Sequence, residues 1–490
     1  MKERLKIIDY KYNIMTLIFV FILFISILAP LSGNDWILYA NGKSSIFNSS
    51  FTFNNGGLIS DYLAGIFVNN KGIFALFFAF IMAFLYYLLV PLFGKVENKY
   101  HYLLLPFFVL ILGIETFSYN IVSVTGVVCY TIPSILIIMY FLYTYKIGND
   151  KYRIIDYLIL ILMATYISLS TVHLAIAFLV TNTIYYAYRV VTYKGFPKQY
   201  VLIILLQIVL SLTSLVFIDK ALLYTSAELM LGNIPKFINQ AFSKNILLFI
   251  FGLIPIGGYL NEKLGNFSYK RAVIVLFSLV PILSLLYNFF NYSPVNLNLV
   301  INKYNGVFAT ENWYFIFYYM LYMILYVISI LYFIKRKKSR MYILTLLLTG
   351  LVTSTLKLFS PDYMDGSNIL FIMTFILSLS VVLKEMNVKL DKMFMVLVGI
   401  LCLYYGSMLV MSKYIDDSRN SYIKEQIEAK YTVIEVKSNP LYVVYRHNPI
   451  TPFQMRDFKK YQGLNDDIKI EVKYFGIFKT IERKVTENVN

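Results

Sequence analysis

Long apolar runs broken by short polar segments set the pattern of this chain from Ile14 to Met411. The first, Ile14–Leu31, holds roughly 18 residues almost without interruption, about what the hydrocarbon core of a bilayer requires of a helix. Comparable runs fall near 72–93, 102–117, 127–145, 154–170, 172–188, 201–218 and 244–260, then near 272–290, 313–334, 341–358, 368–383 and 393–411. This pattern predicts an all-α polytopic membrane protein with about 13 transmembrane helices. Within Ile154–Arg189 it requires two short spans that turn at about Ser170–Val172.

Beyond Met411 the pattern changes. No stretch from Ser412 to Asn490 can span, and basic and acidic residues are interspersed. Asp416–Lys430 has helical character. Tyr431–Val436, Leu441–Tyr445 and Ile468–Tyr474 favour strands, with Asn439-Pro440 and Asn448-Pro449 as turns. The expected organisation is a transmembrane domain over 1–411 and a small α/β domain over 412–490. The second is expected to rest on the bundle because its own core is small.

Composition agrees with the pattern. Of 490 residues, 59% are hydrophobic and 14% charged, whereas a soluble domain carries roughly a quarter charged residues. A large soluble enzyme is thereby excluded. The net charge of +17 would suggest a nucleic-acid partner if it were clustered on one surface. Its placement explains it otherwise. The expected inner segments hold about 23 Lys and Arg, Lys335–Lys338 and Arg340 among them, and the outer loops about seven, as the positive-inside rule requires. No nucleic-acid partner is expected.

Lys2, Arg4, Lys6 and Lys11 keep the N-terminus cytoplasmic, and an odd number of spans places the C-terminal domain outside the cell. The first span lacks a small-residue cleavage site, so it is expected to be retained as an anchor. Cys129 and Cys402 both fall within spans and offer no disulfide framework or zinc spacing.

The chain contains no phosphate loop, dinucleotide glycine fingerprint, H-E-x-x-H or C-x-x-C. Its histidines are His101, His173 and His447, too scattered for a histidine metal centre. No cofactor is expected, although divalent-metal assistance stays open. Candidate chemistry therefore gathers at the outer ends of the spans. Asp35 emerges just past the first span between Asn34 and Trp36, and Asn55 and Asp61 follow in the same loop. The alternative for Asp35 is a solvated loop acid, with Trp36 an aromatic anchor. Glu115 stands in apolar sequence near the outer end of the third span, where an acid is costly; it is a catalytic candidate or a carboxyl hydrogen-bonded between helices. His173 falls at an outer turn. Lys357, at the outer end of the eleventh span, could meet a phosphate as a point charge or snorkel to headgroups. Asp219, Glu228, Glu311, Asp362 and Asp365 read as solvated loop acids.

These residues resemble a family. An inner N-terminus, a first span and an acid in the first outer loop is the layout of the GT-C superfamily of membrane glycosyltransferases. Gly33-Asn-Asp-Trp36, Asn55-Gly-Gly-Leu-Ile-Ser-Asp-Tyr-Leu63 and Ser123-Val-Thr-Gly-Val-Val-Cys-Tyr-Thr-Ile-Pro133 resemble stretches of its bacterial, glucosyltransferase-like branch. So does Phe458–Ile470. The chain departs from that branch in having Asn34-Asp35 where paired acids are common, and Gly57 where Arg is common. Ser360–Asn368 likewise lacks an expected Arg.

The resemblance implies an enzyme of the bacterial plasma membrane. It would transfer a sugar from a polyprenyl-phosphate donor to a cell-envelope glycan or lipid acceptor on the outer face. Asp35 would act as general base with Glu115 organising the site. Asn34, Trp36, Asn55, Asp61, His173 and Lys357 would bind substrate. The competing expectations are a lipid-linked sugar or polysaccharide flippase and a non-catalytic membrane scaffold. A flippase calls for charge deep in several spans, and these span cores are almost free of it.

Overall fold

In a computed structural model of the chain, the described residues are 2–36 (without 32 and 34), 38–39, 58–147 (without 94, 95 and 97), 153–192, 200–216, 244–265, 313–357, 368–437 and 452–473 (without 466), with isolated residues in 233–242 and 272–279. They are overwhelmingly helical. Helix α1 (Lys2–Leu28) is followed by α2 (Leu58–Asn69) and α3 (Lys71–Leu89). A 3₁₀ turn, Lys99–Leu103, leads into α4 (Leu104–Leu110) and α5 (Ile114–Phe117). After a π-helical turn over Ser118–Val122, α6 (Val124–Gly126), a second π turn and α7 (Ile132–Ile147) run on as one span, Val124–Tyr145. Then come α8 (Ile154–Ser168), α9 (Val172–Thr192), α10 (Tyr200–Val216) and α11 (Ile246–Lys263). The last long helices are α12 (Trp313–Phe333), α13 (Lys337–Lys357), α14 (Ile369–Glu385) and α15 (Lys392–Glu428).

Among the described residues, seven helices are long and apolar enough to cross a membrane, or eight if one bent pair counts as a span. Three shorter apolar helices accompany them. Most of the run expected near 272–290 lies outside the described residues. The turn expected at Ser170–Val172 is present: α8 ends at Ser168 and α9 starts at Val172.

The third span is not one straight helix. Lys99–Leu110 and Glu115–Val122 are bent by 94°. Gly113 sits at the break because its backbone lies directly on the carbonyl of Lys244, where an added Cβ would come to 1.8 Å. Its N–H donates to Asn245 Oδ1 at 3.2 Å. Hydropathy counts apolar residues and carries no information on such a bend.

Lipid solvates an apolar surface as well as a neighbouring helix does, so packing and interhelical hydrogen bonds must hold the bundle together. Tyrosine supplies many of them, through a ring that packs and a hydroxyl that needs a partner. Tyr322 donates to Phe249 O, Tyr342 to Ile138 O and Tyr405 to Leu112 O, at 2.8, 2.9 and 3.3 Å. Between α7, α9 and α10, a buried set links Tyr140, Tyr200, Asn182 and Gln207.

The chain's last described part begins with a helix longer than either expected segment. α15 runs unbroken for 37 residues, about 55 Å at 1.5 Å per residue. The span expected at 393–411 and the helix expected at 416–430 are therefore one helix that crosses the 411/412 boundary. Strand β1 (Val433–Lys437) pairs in parallel with β2 (Lys469–Lys473), and α16 (Pro452–Gln462) lies between them in sequence. The strand expected at Leu441–Tyr445 lies outside the described residues. Ile434, Val436, Met455, Phe458, Leu464 and Ile470 form a second hydrophobic core with Ile423 of α15 and Trp36 from the segment that follows α1.

Candidate functional site

After α1 the chain turns within a few residues. Gly33 takes φ +54, a left-handed conformation that glycine adopts without steric cost, and Trp36 N–H donates to Gly33 O at 3.2 Å. This turn sends neighbouring side chains into different surroundings. Asp35 enters the bundle, and Trp36 enters the second core.

Asp35 meets the start of the span Val124–Tyr145. Its Oδ1 accepts from Thr125 N–H at 2.8 Å and from Thr125 Oγ1 at 2.5 Å. Its Oδ2 accepts from Val124 N–H at 3.3 Å. Ser123 Oγ stands 3.4 Å from Oδ1 and 3.5 Å from Oδ2. Backbone N–H groups at a helix start have no partner within the helix, and the helix dipole favours negative charge there. Ser123 is the N-cap, and its Oγ accepts from Gly126 N–H. Gly126 lets the chain fold back on itself: a Cβ there would lie 1.8 Å from Tyr119 O.

Asp35 is buried, with 1% of its surface exposed. Burial pushes its carboxyl above the ordinary 3.8, against the hydrogen bonds from Thr125 and Val124 and the charge of Lys71, which favour the ionised form. The two oxygens are unequal. Oδ1 is held by two short bonds, whereas Oδ2 has only longer contacts and retains acceptor capacity.

Asp61, on α2, is also buried and accepts from Cys129 Sγ at 3.4 Å. The same helix is tied at its start by Ile59 N–H to Leu169 O, 3.1 Å away. Asp35 and Asp61 thus both border the first turns of the span Val124–Tyr145. Glu115 is elsewhere, in an ion pair with Lys244. His173 lies half-buried in the first turn of α9. Trp36 is fully buried, its Nε1 donating to Leu31 O at 2.9 Å and its ring packed against Phe458 and Tyr461 at 5.0 and 6.1 Å between centroids. Lys357 ends α13, with its side chain outside the described residues; Asn34 and Asn55 lie outside them, as do Asp219, Glu228, Glu311, Asp362 and Asp365.

The sequence did not single out Lys71, which acts on Asp35, nor the charged groups of α15 that act on Lys71. Lys71 opens α3 and interacts electrostatically with Asp35 on one side and with Lys413, Asp416 and Asp417 of α15 on the other. Asp416 is buried with Arg419, whose Nη2 donates to its Oδ1 at 2.8 Å, and Asn420 Nδ2 donates to its Oδ2 at 3.3 Å. The Arg419 guanidinium lies over the Phe458 ring, 5.1 Å from its centroid. The spacing Asp416-x-x-Arg419 on a helical stretch was the available signal, and Thr125 was legible only as a member of the Ser123–Pro133 stretch. No cluster of three metal-ligating side chains occurs among the described residues.

These features define a predominantly helical, membrane-embedded protein with a buried acid at the end of its helices. No family model, curated protein or solved structure matches the chain.

Proposed function

We propose that this chain is an inverting membrane glycosyltransferase. It transfers a sugar from a polyprenyl-phosphate donor to a cell-envelope glycan or lipid acceptor on the outer face of a bacterial plasma membrane. The observation that carries the reading is Asp35, a buried carboxylate whose Oδ1 is anchored and whose Oδ2 stays available, with its pKa raised by burial. A carboxylate with a raised pKa is a stronger base than an ordinary one. The acceptor hydroxyl gives its proton to Oδ2 as its oxygen bonds to the anomeric carbon. The bond from that carbon to the phosphate oxygen breaks, and the lipid phosphate leaves with the electron pair. The sequence resemblance and the charge of Lys71 beside Asp35 lend support. The reading includes about 13 spans, a cytoplasmic N-terminus and an outer C-terminal unit, for which the bias of Lys and Arg speaks.

The four groups that donate to Asp35 favour a second reading, in which the acid only clamps the start of a span. Asp35→Asn separates the two. Assayed in membranes with a labelled polyprenyl-phosphate sugar, the variant is expected to lose about 10²-fold or more of its transfer while keeping the wild-type melting temperature in detergent. Wild-type transfer by the variant, or joint loss of transfer and fold, gives the clamp reading its place. Only the ionised carboxylate accepts a proton, so wild-type kcat/KM falls as pH drops through a pKa that lies above 3.8. A wild type that binds no such donor removes the enzyme reading altogether.

A further inference from the structure

A cavity of about 100 Å³ lies among α1, α3, α4, α5, α7, α14 and α15. Its walls are apolar: Ile22, Leu85, Leu110, Ile376 and Val398 are representative. Leu17 lines it and is also 51% exposed on the outside of α1, so the cavity reaches the face that lipid would cover. Nothing polar inside could hold water in place, since an ordered water needs two to four polar partners.

The end of the bundle that carries the N-terminus supplies a different chemistry. Tyr86 lines the cavity and donates to Tyr102 O; its neighbour Tyr87 stacks on Tyr12. Lys11 stands over both of those rings, 4.6 Å from Tyr87 and 5.2 Å from Tyr12. Lys99 stands 5.3 Å from Tyr10 and from Tyr100. Tyr10 in turn reaches Met395 of α15, one turn before the cavity residue Val398. Among the described residues neither lysine pairs with a carboxylate. The nearby Asp391 is turned to the N–H groups of Met393 and Phe394, and Glu385 is paired with Lys384. Lys99, Lys389 and Lys392 are exposed.

We infer that the structure holds a binding site for an anionic phospholipid. Part of its hydrocarbon chain occupies the apolar cavity, and its phosphate headgroup is met by Lys11 and Lys99 within the tyrosine rim. Apolar walls select a chain, and basic pockets between membrane helices select an anionic headgroup. The arrangement is distant along the helices from Asp35, at the opposite end of α1 and α3, and does not depend on the reading of that site.

Native mass spectrometry of the detergent-purified full chain, with dioleoyl phosphatidylglycerol or dioleoyl phosphatidylcholine added, tests it. Cys402 lines the cavity and serves as a reporter, its alkylation by N-ethylmaleimide distinguished from that of Cys129 by peptide mapping. The phosphatidylglycerol is expected to bind about tenfold more tightly than the phosphatidylcholine and to slow labelling of Cys402 several-fold. Lys11→Gln combined with Lys99→Gln is expected to bring its binding down to the phosphatidylcholine level with an unchanged melting temperature. Equal binding of the two lipids, or no effect of the double substitution, overturns the headgroup site. Binding that leaves Cys402 labelling unchanged overturns the cavity as the place of the chain. If a polyprenyl phosphate protects Cys402 where phosphatidylglycerol does not, the cavity belongs to that lipid and the inference fails.

Discussion

The two hydrophobic cores of this molecule are built on different physics. In the bundle, both the packed and the outward face of a helix are apolar. Along α1, Ile14, Ile22 and Ile25 are buried whereas Leu17, Val20, Phe24 and Ile27 are exposed. The two sets follow helical spacing, yet residue type does not tell them apart. The second core is a small knot of eight buried side chains, Trp36 among them, drawn from segments hundreds of residues apart and flanked by charged residues. Here most of the aliphatic residues of the strands and of α16 are buried, as burial from water demands. An apolar residue in the bundle is stabilised by packing that lipid could partly replace, whereas one in the second core also gains the hydrophobic effect.

Removing the centre of the small core exploits that difference most. Trp36→Ala deletes a fully buried indole, and such truncations cost about 3–5 kcal/mol. Limited proteolysis should then cut within 433–473 while the helical circular-dichroism signal of the bundle persists. If the bundle unfolds together with the small core, the two are one cooperative unit and the contrast disappears. Arg419→Met comes next, because it leaves Asp416 buried without its ion-pair partner. Breaking a buried pair costs about 3–5 kcal/mol, and the remaining contact from Asn420 offsets part of it. The double variant Asp416→Leu/Arg419→Met should recover much of the loss in a thermal melt.

Within the bundle, the comparison sharpens between two residues on one helix. Ile25→Ala should cost about 2 kcal/mol, the low end of the range for buried truncations, because packing is lost with little transfer energy. Ile27→Ala, on the exposed face, should change the melting temperature in detergent far less. Equal effects would mean that α1 is packed on both sides. The smallest effect is expected at the exposed pair Lys413–Asp417, at 2.5 Å. Surface ion pairs contribute about 0–1 kcal/mol, so Lys413→Ala should barely move the melt, and added salt should abolish the difference.

The sequence alone determined that this is a membrane-embedded helical protein. Apolar length is a local property, and a backbone in hydrocarbon must satisfy its own hydrogen bonds by forming helices. The same local signals gave the strands at Val433 and Lys469, the turn between α8 and α9, and the acid at the end of the first span. They did not carry the bend at Gly113, which depends on the carbonyl of Lys244 from a distant helix. They marked a change of hydropathy at 411/412, which the backbone of α15 crosses as one continuous helix. The surroundings of Asp35 were decided only by tertiary structure. Thr125 and Lys71 come from two other elements, and no periodicity links them to position 35. Trp36 shows the same division. Its neighbour Asp35 faces the bundle while the indole enters the small core, because one glycine turn aims adjacent side chains in different directions and only the packed partners decide what each one meets.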